Sequence, residues 1–73
     1  MENRGSIEIH LDSLLKKSGF SKTKFCQKAE IQHAQVNGYL NNTITRLDTE
    51  VLVRICDTLN CSIGELLEYK PGN

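Results

Sequence analysis

The sequence is poor in aromatic residues and has no long hydrophobic run. Aromatics make up 5% of the 73 residues, tryptophan is absent and there is one proline. Because strands favour aromatic and β-branched side chains, this composition favours a small helical core built from Leu, Ile and Val. No apolar stretch approaches the roughly 20 residues that span a bilayer, and the first ten residues lack the apolar segment of a signal peptide. We therefore expect a cytoplasmic protein with no membrane contact.

The chain also lacks a cysteine pattern typical of a metal site or a disulfide framework. Its three cysteines, Cys26, Cys56 and Cys61, are an odd number and include no C-x-x-C pair. The spacing between Cys26 and Cys56 does not match a zinc finger or ribbon. His10 and His33 lie far apart, and neither has a conventional ligand nearby. We predict no metal site, no cofactor, and buried thiols that act as small apolar side chains.

The charges sum to zero, but they are unevenly distributed along the chain. Residues 16–46 carry six cations and one carboxylate, a net charge of +5, whereas the segments on both sides are acidic. A basic segment between acidic flanks is compatible with nucleic-acid binding. The alternative is that these lysines only keep two helices soluble.

Hydrophobic periodicity predicts five helices in one small domain. Ser21, Asp48 and Ser62 are favourable N-cap residues, and Ser62 forms an S-x-x-E capping box with Glu65. Gly19 and Asn60 are predicted to end the first and fourth helices in the left-handed conformation. The segments after these caps, together with "LDSLLKKS" and a helix that starts near Gln32, make up the five. Only about three residues separate the second and third helices, so these two must cross steeply as a helix-turn-helix unit.

Both ends of the chain show the two-residue alternation typical of strands. "SIEIHL" alternates Ile7 and Ile9 with polar residues, and "LLEYK" alternates in the same way before Pro71. We expect these segments to pair, because an isolated strand edge would expose unpaired amides. Residues 1–73 are expected to form a single domain, with loose ends at 1–5 and 71–73.

The third predicted helix has an unusual polar face. In "IQHAQVNGYLNN", Val36, Tyr39 and Leu40 follow the i, i+3, i+4 spacing of a buried helical face. The opposite face carries amides and an imidazole, whereas a solvated helix usually carries lysine and glutamate. Amide and imidazole groups can form specific hydrogen bonds with a partner, so this face is the candidate binding surface.

From Ser21 to Leu67, with the first helix before it, the sequence resembles the lambda repressor/Cro-like helix-turn-helix family, the XRE-type bacterial and phage regulators. "SKTKFCQKAEIQHAQVNGYLNN" matches the family pattern "TQxxLAxxxGIsxxxISxxxNG", and "TLNCSIGELL" matches "ALxVSxxELL". "IEIHLDSLL" and "LNCSIGELLEYKP" are similar to a subgroup of small regulators with a short strand at each terminus. The resemblance implies an all-α, compact five-helix lambda-repressor-like DNA-binding domain, with a short two-stranded pairing of the N- and C-terminal segments.

Several positions depart from the family pattern. Lys22 replaces the usual glutamine, which favours a phosphate contact over a base contact. Glu30 replaces the turn glycine, so a bulky residue lies where the backbone needs a positive φ. Asn42 replaces the glycine after the recognition helix and tolerates that conformation. Gly38 lies inside the third helix at a cost of up to about 1 kcal/mol relative to alanine, and can mark the close approach of another backbone or a phosphate.

The resemblance implies a sequence-specific, repressor-type transcriptional regulator that reads the major groove of double-stranded DNA with helix 3. A single module buries little surface, so we expect a homodimer on a near-palindromic operator. The protein would be bacterial or phage-encoded, nucleoid-associated when bound, and without a small-molecule ligand. The predicted base-reading residues are Gln32, His33, Ala34, Gln35 and Asn37. The predicted phosphate-binding residues are Lys22, Lys24, Lys28, Asn41, Thr43, Thr45 and Arg46.

Other interpretations stay open beside this one. A protein-binding helix-turn-helix module, such as an antitoxin, an anti-repressor or a phage-encoded inhibitor, would use the fold without DNA, and the zero net charge favours it. An enzyme is disfavoured, because the sequence shows no Ser/His/Asp or Cys/His arrangement and no phosphate loop. For Gln35, Asn37, Lys24 and Lys28, an ordinary solvated helix position is the alternative role.

Overall fold

The chain folds into five helices, with one short strand at each end. A computed structural model describes residues 4–72. In chain order the elements are β1 (Ser6–Ile9), α1 (Leu11–Ser18), α2 (Lys22–Ala29), α3 (His33–Leu40), α4 (Thr49–Leu59), α5 (Ile63–Leu66) and β2 (Leu67–Lys70). This confirms the predicted fold class and the strand at each end. Residues 1–3 and 73 of the expected loose ends lie outside the described residues.

Local side-chain caps start three of the helices where they were predicted. Ser21 and Asp48 accept hydrogen bonds from backbone N–H groups in the first turns of α2 and α4, at 3.1 and 2.9 Å. Ser62 and Glu65 form the reciprocal capping box of α5, with bonds of 3.1 and 2.8 Å. Such a cap typically contributes about 1 kcal/mol to helix stability. Each capping side chain and its backbone partner lie within three residues of each other, so local sequence determines where these helices begin.

Residues in the left-handed conformation end three of the helices. Gly19 ends α1 with φ of 83°, Glu30 ends α2 with 57° and Asn60 ends α4 with 52°. The sequence predicted this role for Gly19 and Asn60, and a positive φ at Glu30. Only glycine adopts this conformation without steric cost, so Glu30 introduces backbone strain into the helix-turn-helix turn.

The two strands bring the ends of the chain together. β1 and β2 are antiparallel, with Ile7 opposite Tyr69 and Ile9 opposite Leu67. The predicted pairing is therefore confirmed. A further backbone hydrogen bond from His10 to the carbonyl of Leu66, 2.7 Å long, continues the contact to the start of α1.

Four titratable side chains cluster on this sheet. The register places Glu8 opposite Glu68, a like-charge pair that is unfavourable by itself. A hydrogen bond from Lys70, 2.9 Å long, lowers the pKa of Glu8, and His10 Nε2 lies 2.7 Å from Glu68 Oε1. The ligand atoms of Glu8, His10 and Glu68 lie within 4.8 Å of one another, a group that could hold a metal ion. The prediction that His10 has no conventional ligand nearby is wrong, because the fold joins residues 58 positions apart.

Each helix contributes a fully buried side chain to one core. The largest are Leu11, Phe25, Val36, Ile55 and Leu66. Cys26 is buried as predicted, but Cys56 and Cys61 are only half-buried. The prediction that all three thiols are buried is therefore wrong for these two, which lie at the junction of α4 and α5. None of the helices within residues 4–72 has the length and hydrophobicity needed to cross a lipid bilayer.

Candidate nucleic-acid interface

The turn between α2 and α3 is anchored on both sides. Glu30 and Ile31 each donate a backbone N–H to the carbonyl of Cys26, and the Ile31 side chain is buried in the core. From α4, Arg54 Nη1 donates to the carbonyl oxygen of Glu30 at 2.9 Å. The protein's own contacts therefore set the angle between the two helices.

Replacing Glu30 by glycine should raise the free energy of unfolding by about 0.5–1 kcal/mol. Glycine removes the steric cost of the positive φ of 57°, which stabilises the fold. Part of this gain is offset because glycine loses more backbone entropy on folding than glutamate does. The carbonyl that accepts from Arg54 is retained. Urea unfolding of this variant, of Glu30→Ala and of the parent would measure the effect. Glu30→Ala removes the carboxylate but keeps Cβ, so an equal gain in both variants would attribute the effect to charge.

α3 has one buried and one exposed face. Val36 and Tyr39 are 1% and 4% exposed, and neither end turn of the helix carries a charge. Gln32 is the N-cap residue but makes no side-chain capping bond, so its amide is not engaged at the helix start. The predicted base-reading residues are all exposed: Gln32, His33, Ala34, Gln35 and Asn37. The structure thus presents them together at the surface, and their base-reading role stays a prediction.

The loop that follows α3 explains why position 38 of this helix is a glycine. A Cβ atom at this position would lie 2.7 Å from Cγ2 of Ile44. Thr43 of the same loop also contacts Gly38. Its backbone N–H and its hydroxyl both donate to the Gly38 carbonyl oxygen, at 3.0 and 3.4 Å. The sequence suggested the approach of a backbone or a phosphate at Gly38, whereas the structure shows a side chain.

Asn42 ties the loop after α3 to strand β1. Its Oδ1 accepts from the Ile9 N–H at 2.7 Å, and its Nδ2 donates to the Ile9 carbonyl at 3.1 Å. The amide thus forms both hydrogen bonds that a further strand would make with Ile9. Sequence reasoning found only the positive φ of Asn42, which is 57°. No local pattern could reveal the bond, because its partners are 33 residues apart.

The predicted phosphate-binding residues lie on α2 and around the loop after α3. All are exposed: Lys22, Lys24, Lys28, Asn41, Thr43, Thr45 and Arg46. Within residues 4–72, no carboxylate forms a salt bridge with the four cations of this set, whereas Lys16 and Lys70 are paired. Lys28 Nζ lies 5.9 Å from the centre of the Phe20 ring. These cations are therefore available to an external anion.

An apolar groove between α4 and α5 was not predicted from the sequence. It has a volume of about 340 Å³ and is lined by Thr49, Leu52, Val53, Cys56, Asp57 and Ile63. Val53 and Ile63 are 56% and 48% exposed, which is high for aliphatic side chains. The available signal was that the fourth helix has an i, i+3, i+4, i+7 apolar face, which leaves Val53 outside it. That face consists of Leu52, Ile55, Cys56 and Leu59.

Comparison with known proteins agrees with this arrangement. Residues 10–72 match the Cro/C1-type helix-turn-helix DNA-binding domain. A crystal structure of the transcriptional regulator VanUg (form II) superposes with a TM-score of 0.73 and 20% identity, covering 96% of this chain and 92% of that chain. A search of curated proteins found no match. The family match extends over all five helices and β2, so the chain belongs to the Cro/C1-type helix-turn-helix DNA-binding family.

Proposed function

We propose that this protein is a sequence-specific, repressor-type transcriptional regulator that inserts α3 into the major groove of double-stranded DNA. The observation that carries the proposal is the exposed, uncharged polar face of α3 opposite buried Val36 and Tyr39. The family supports DNA as the partner, and the VanUg likeness supports the regulatory role. On this proposal the protein is a cytoplasmic binding protein, has no catalytic role and needs no small-molecule ligand.

The α3 side chains fit the chemistry of base edges. In helix-turn-helix proteins, residues near the N-terminus of the second helix contact the bases. The amides of Gln32, Gln35 and Asn37 can form paired hydrogen bonds with adenine, and His33 can donate to guanine N7 or O6. The methyl group of Ala34 can contact a thymine methyl.

Phosphate contacts would come from the cations of α2 and from the loop after α3. Such contacts position the protein without carrying sequence information. The carboxylates of Asp57, Glu65 and Glu68 lie on α4, α5 and β2, and phosphates would repel them. We therefore expect DNA to approach along α2 and α3, with the acidic C-terminal elements facing away.

Arg46→Ala should weaken binding to all DNA sequences alike and reduce the salt slope, d log K/d log[salt], by about one unit. Fluorescence anisotropy on a selected and a random duplex at several salt concentrations would measure this slope. Lys16→Ala is the control, because Lys16 is an exposed cation that pairs with Asp12 at 3.2 Å. An unchanged slope in Arg46→Ala would show that Arg46 contacts no phosphate.

The proposal includes a homodimer on a near-palindromic operator, with the α4–α5 groove as the contact between copies. Two-fold pairing places the same surface of each copy against the other. Val53 and Ile63 line this groove and are 56% and 48% exposed, so the groove offers an apolar surface that the same surface of a second copy can cover. Asp57 at its edge disfavours DNA as the occupant.

The combined substitutions Val53→Ser and Ile63→Ser should raise the dimer dissociation constant by about tenfold or more. A loss of this size is typical when an apolar contact at the centre of an interface is removed. Both residues are exposed, so stability should change by only about 0.5 kcal/mol. Sedimentation equilibrium would measure the dimer constant, with Ile7→Ser as a control of matched exposure, 55%. A double variant that dimerises like the parent would place the contact on another surface.

Selection of bound duplexes from a random DNA library, at low and near-physiological salt, tests the function itself. An enriched near-palindrome with half-sites about one helical turn apart would support the proposal. If no sequence is enriched at either salt, α3 does not read DNA unaided. The protein-binding alternative, with the α4–α5 groove contacting a different protein, then becomes the better hypothesis.

A further inference from the structure

Two half-buried cysteines, Cys56 and Cys61, flank the end of α4. Asn60 adopts the left-handed conformation, with φ of 52°, and the next residue, Cys61, donates its N–H to the carbonyl of Cys56 at 3.1 Å. This six-residue hydrogen-bonded closure is the helix ending in which the side chains at these two positions commonly contact each other. Both thiols are free and partly accessible, whereas Cys26 is buried.

The backbone geometry brings these two cysteines within reach of a disulfide. With standard bond lengths, the 3.1 Å hydrogen bond holds their Cα atoms within about 7 Å. Disulfides form when the Cα atoms are about 4.4–6.8 Å apart. Burial, and after it the Cys56 thiol, raises the pKa of Cys61 to about 11.

We propose that Cys56 and Cys61 are a thiol-oxidation site, and that they form a reversible intrachain disulfide by exchange with a low-molecular-weight disulfide such as oxidised glutathione. This site needs no DNA, and it shares one residue, Cys56, with the groove proposed as the dimer contact. The sequence pattern of these two cysteines predicted only core packing.

The exchange takes place in two steps. Cys56, which lines the open groove, gives its proton to solvent and attacks oxidised glutathione, which breaks the S–S bond and releases one glutathione thiolate. Cys61 passes its proton to that thiolate and attacks the Cys56 sulfur, which releases the second glutathione as a thiolate that takes up the proton given to solvent. Two protein thiols are oxidised by two electrons, and one glutathione disulfide is reduced to two thiols.

The disulfide would join the last turn of α4 to the residue before the capping box of α5. Cys56 also lines the α4–α5 groove with Val53 and Ile63. Oxidation would thus fix one side of this groove and leave the α2–α3 unit unchanged.

Peptide mapping can identify the bond in the full-length chain. The reduced protein is equilibrated in glutathione redox buffers, treated with iodoacetamide and digested with trypsin. Cleavage after Arg54 leaves Cys56 and Cys61 on one peptide, while cleavage after Lys24 and Lys28 isolates Cys26. We expect the peptide from residue 55 onward to be two hydrogens lighter and unalkylated, and to regain both thiols with dithiothreitol. A disulfide to Cys26, or a persistent glutathione adduct, would overturn the proposal.

The equilibrium constant for disulfide formation tests whether the fold favours the bond. It should be about tenfold or more higher for the native chain than for the chain in concentrated urea. An equal or lower native value would show that the folded geometry holds the thiols apart. Cys61→Ser is the control, and its oxidation should stop at a mixed disulfide between Cys56 and glutathione. No step uses DNA, so failure here is distinct from failure of the proposed function.

Discussion

Replacing Tyr39 by alanine is expected to lower the free energy of unfolding by about 3–5 kcal/mol, the loss typical of a buried aromatic residue. Tyr39 is 4% exposed and, with Val36, is one of two buried residues of α3. An eight-residue helix is not stable alone in water, so α3 depends on this packing. A domain of 73 residues has little stability to spare, and most of the variant should be unfolded at 37 °C.

Urea unfolding followed by circular dichroism would measure this loss. Tyr39→Phe keeps the ring and should stay within about 1 kcal/mol of the parent. Asn37→Ala changes an exposed residue of the same helix and should shift stability by only about 0.5 kcal/mol. Parent-like stability of Tyr39→Ala would mean that contacts other than the buried face hold α3 in place.

The second large effect is expected at the exposed face of α3. His33→Ala and Gln35→Ala should each cost about 1–3 kcal/mol on the selected operator, and each should relax the preference at one base pair. Both side chains are exposed, so folding should be unaffected. The loss would come from base hydrogen bonds that alanine cannot form.

Repeating the duplex selection with each variant would measure the preference at every position. Lys24→Ala is a suitable control, because a lost phosphate contact weakens all sequences alike and leaves the preference profile intact. If His33→Ala or Gln35→Ala leaves the profile unchanged, that residue does not read bases. The protein would then recognise its site through the remaining α3 residues or through DNA shape.

Short-range signals account for what could be predicted. The S-x-x-E box of Ser62 and Glu65 predicted the start of α5, and Gly19 and Asn60 predicted helix ends that the structure confirms. Each feature depends on hydrogen bonds or backbone angles within a few residues. The spacing of Val36 and Tyr39 likewise identified which face of α3 is buried, because helical periodicity places them on one side.

The sequence by itself thus determined the five helices, the strand character of both ends and the exposed polar face of α3, since helix caps, left-handed residues and periodicity act over a few neighbouring residues. Only the tertiary structure decided that Asn42 bonds Ile9, that His10 meets Glu68, and which apolar side chains of α4 and α5 stay exposed. The bonded pairs are 33 and 58 residues apart. Such contacts form because several helices pack at once against one core, and no short segment carries that information.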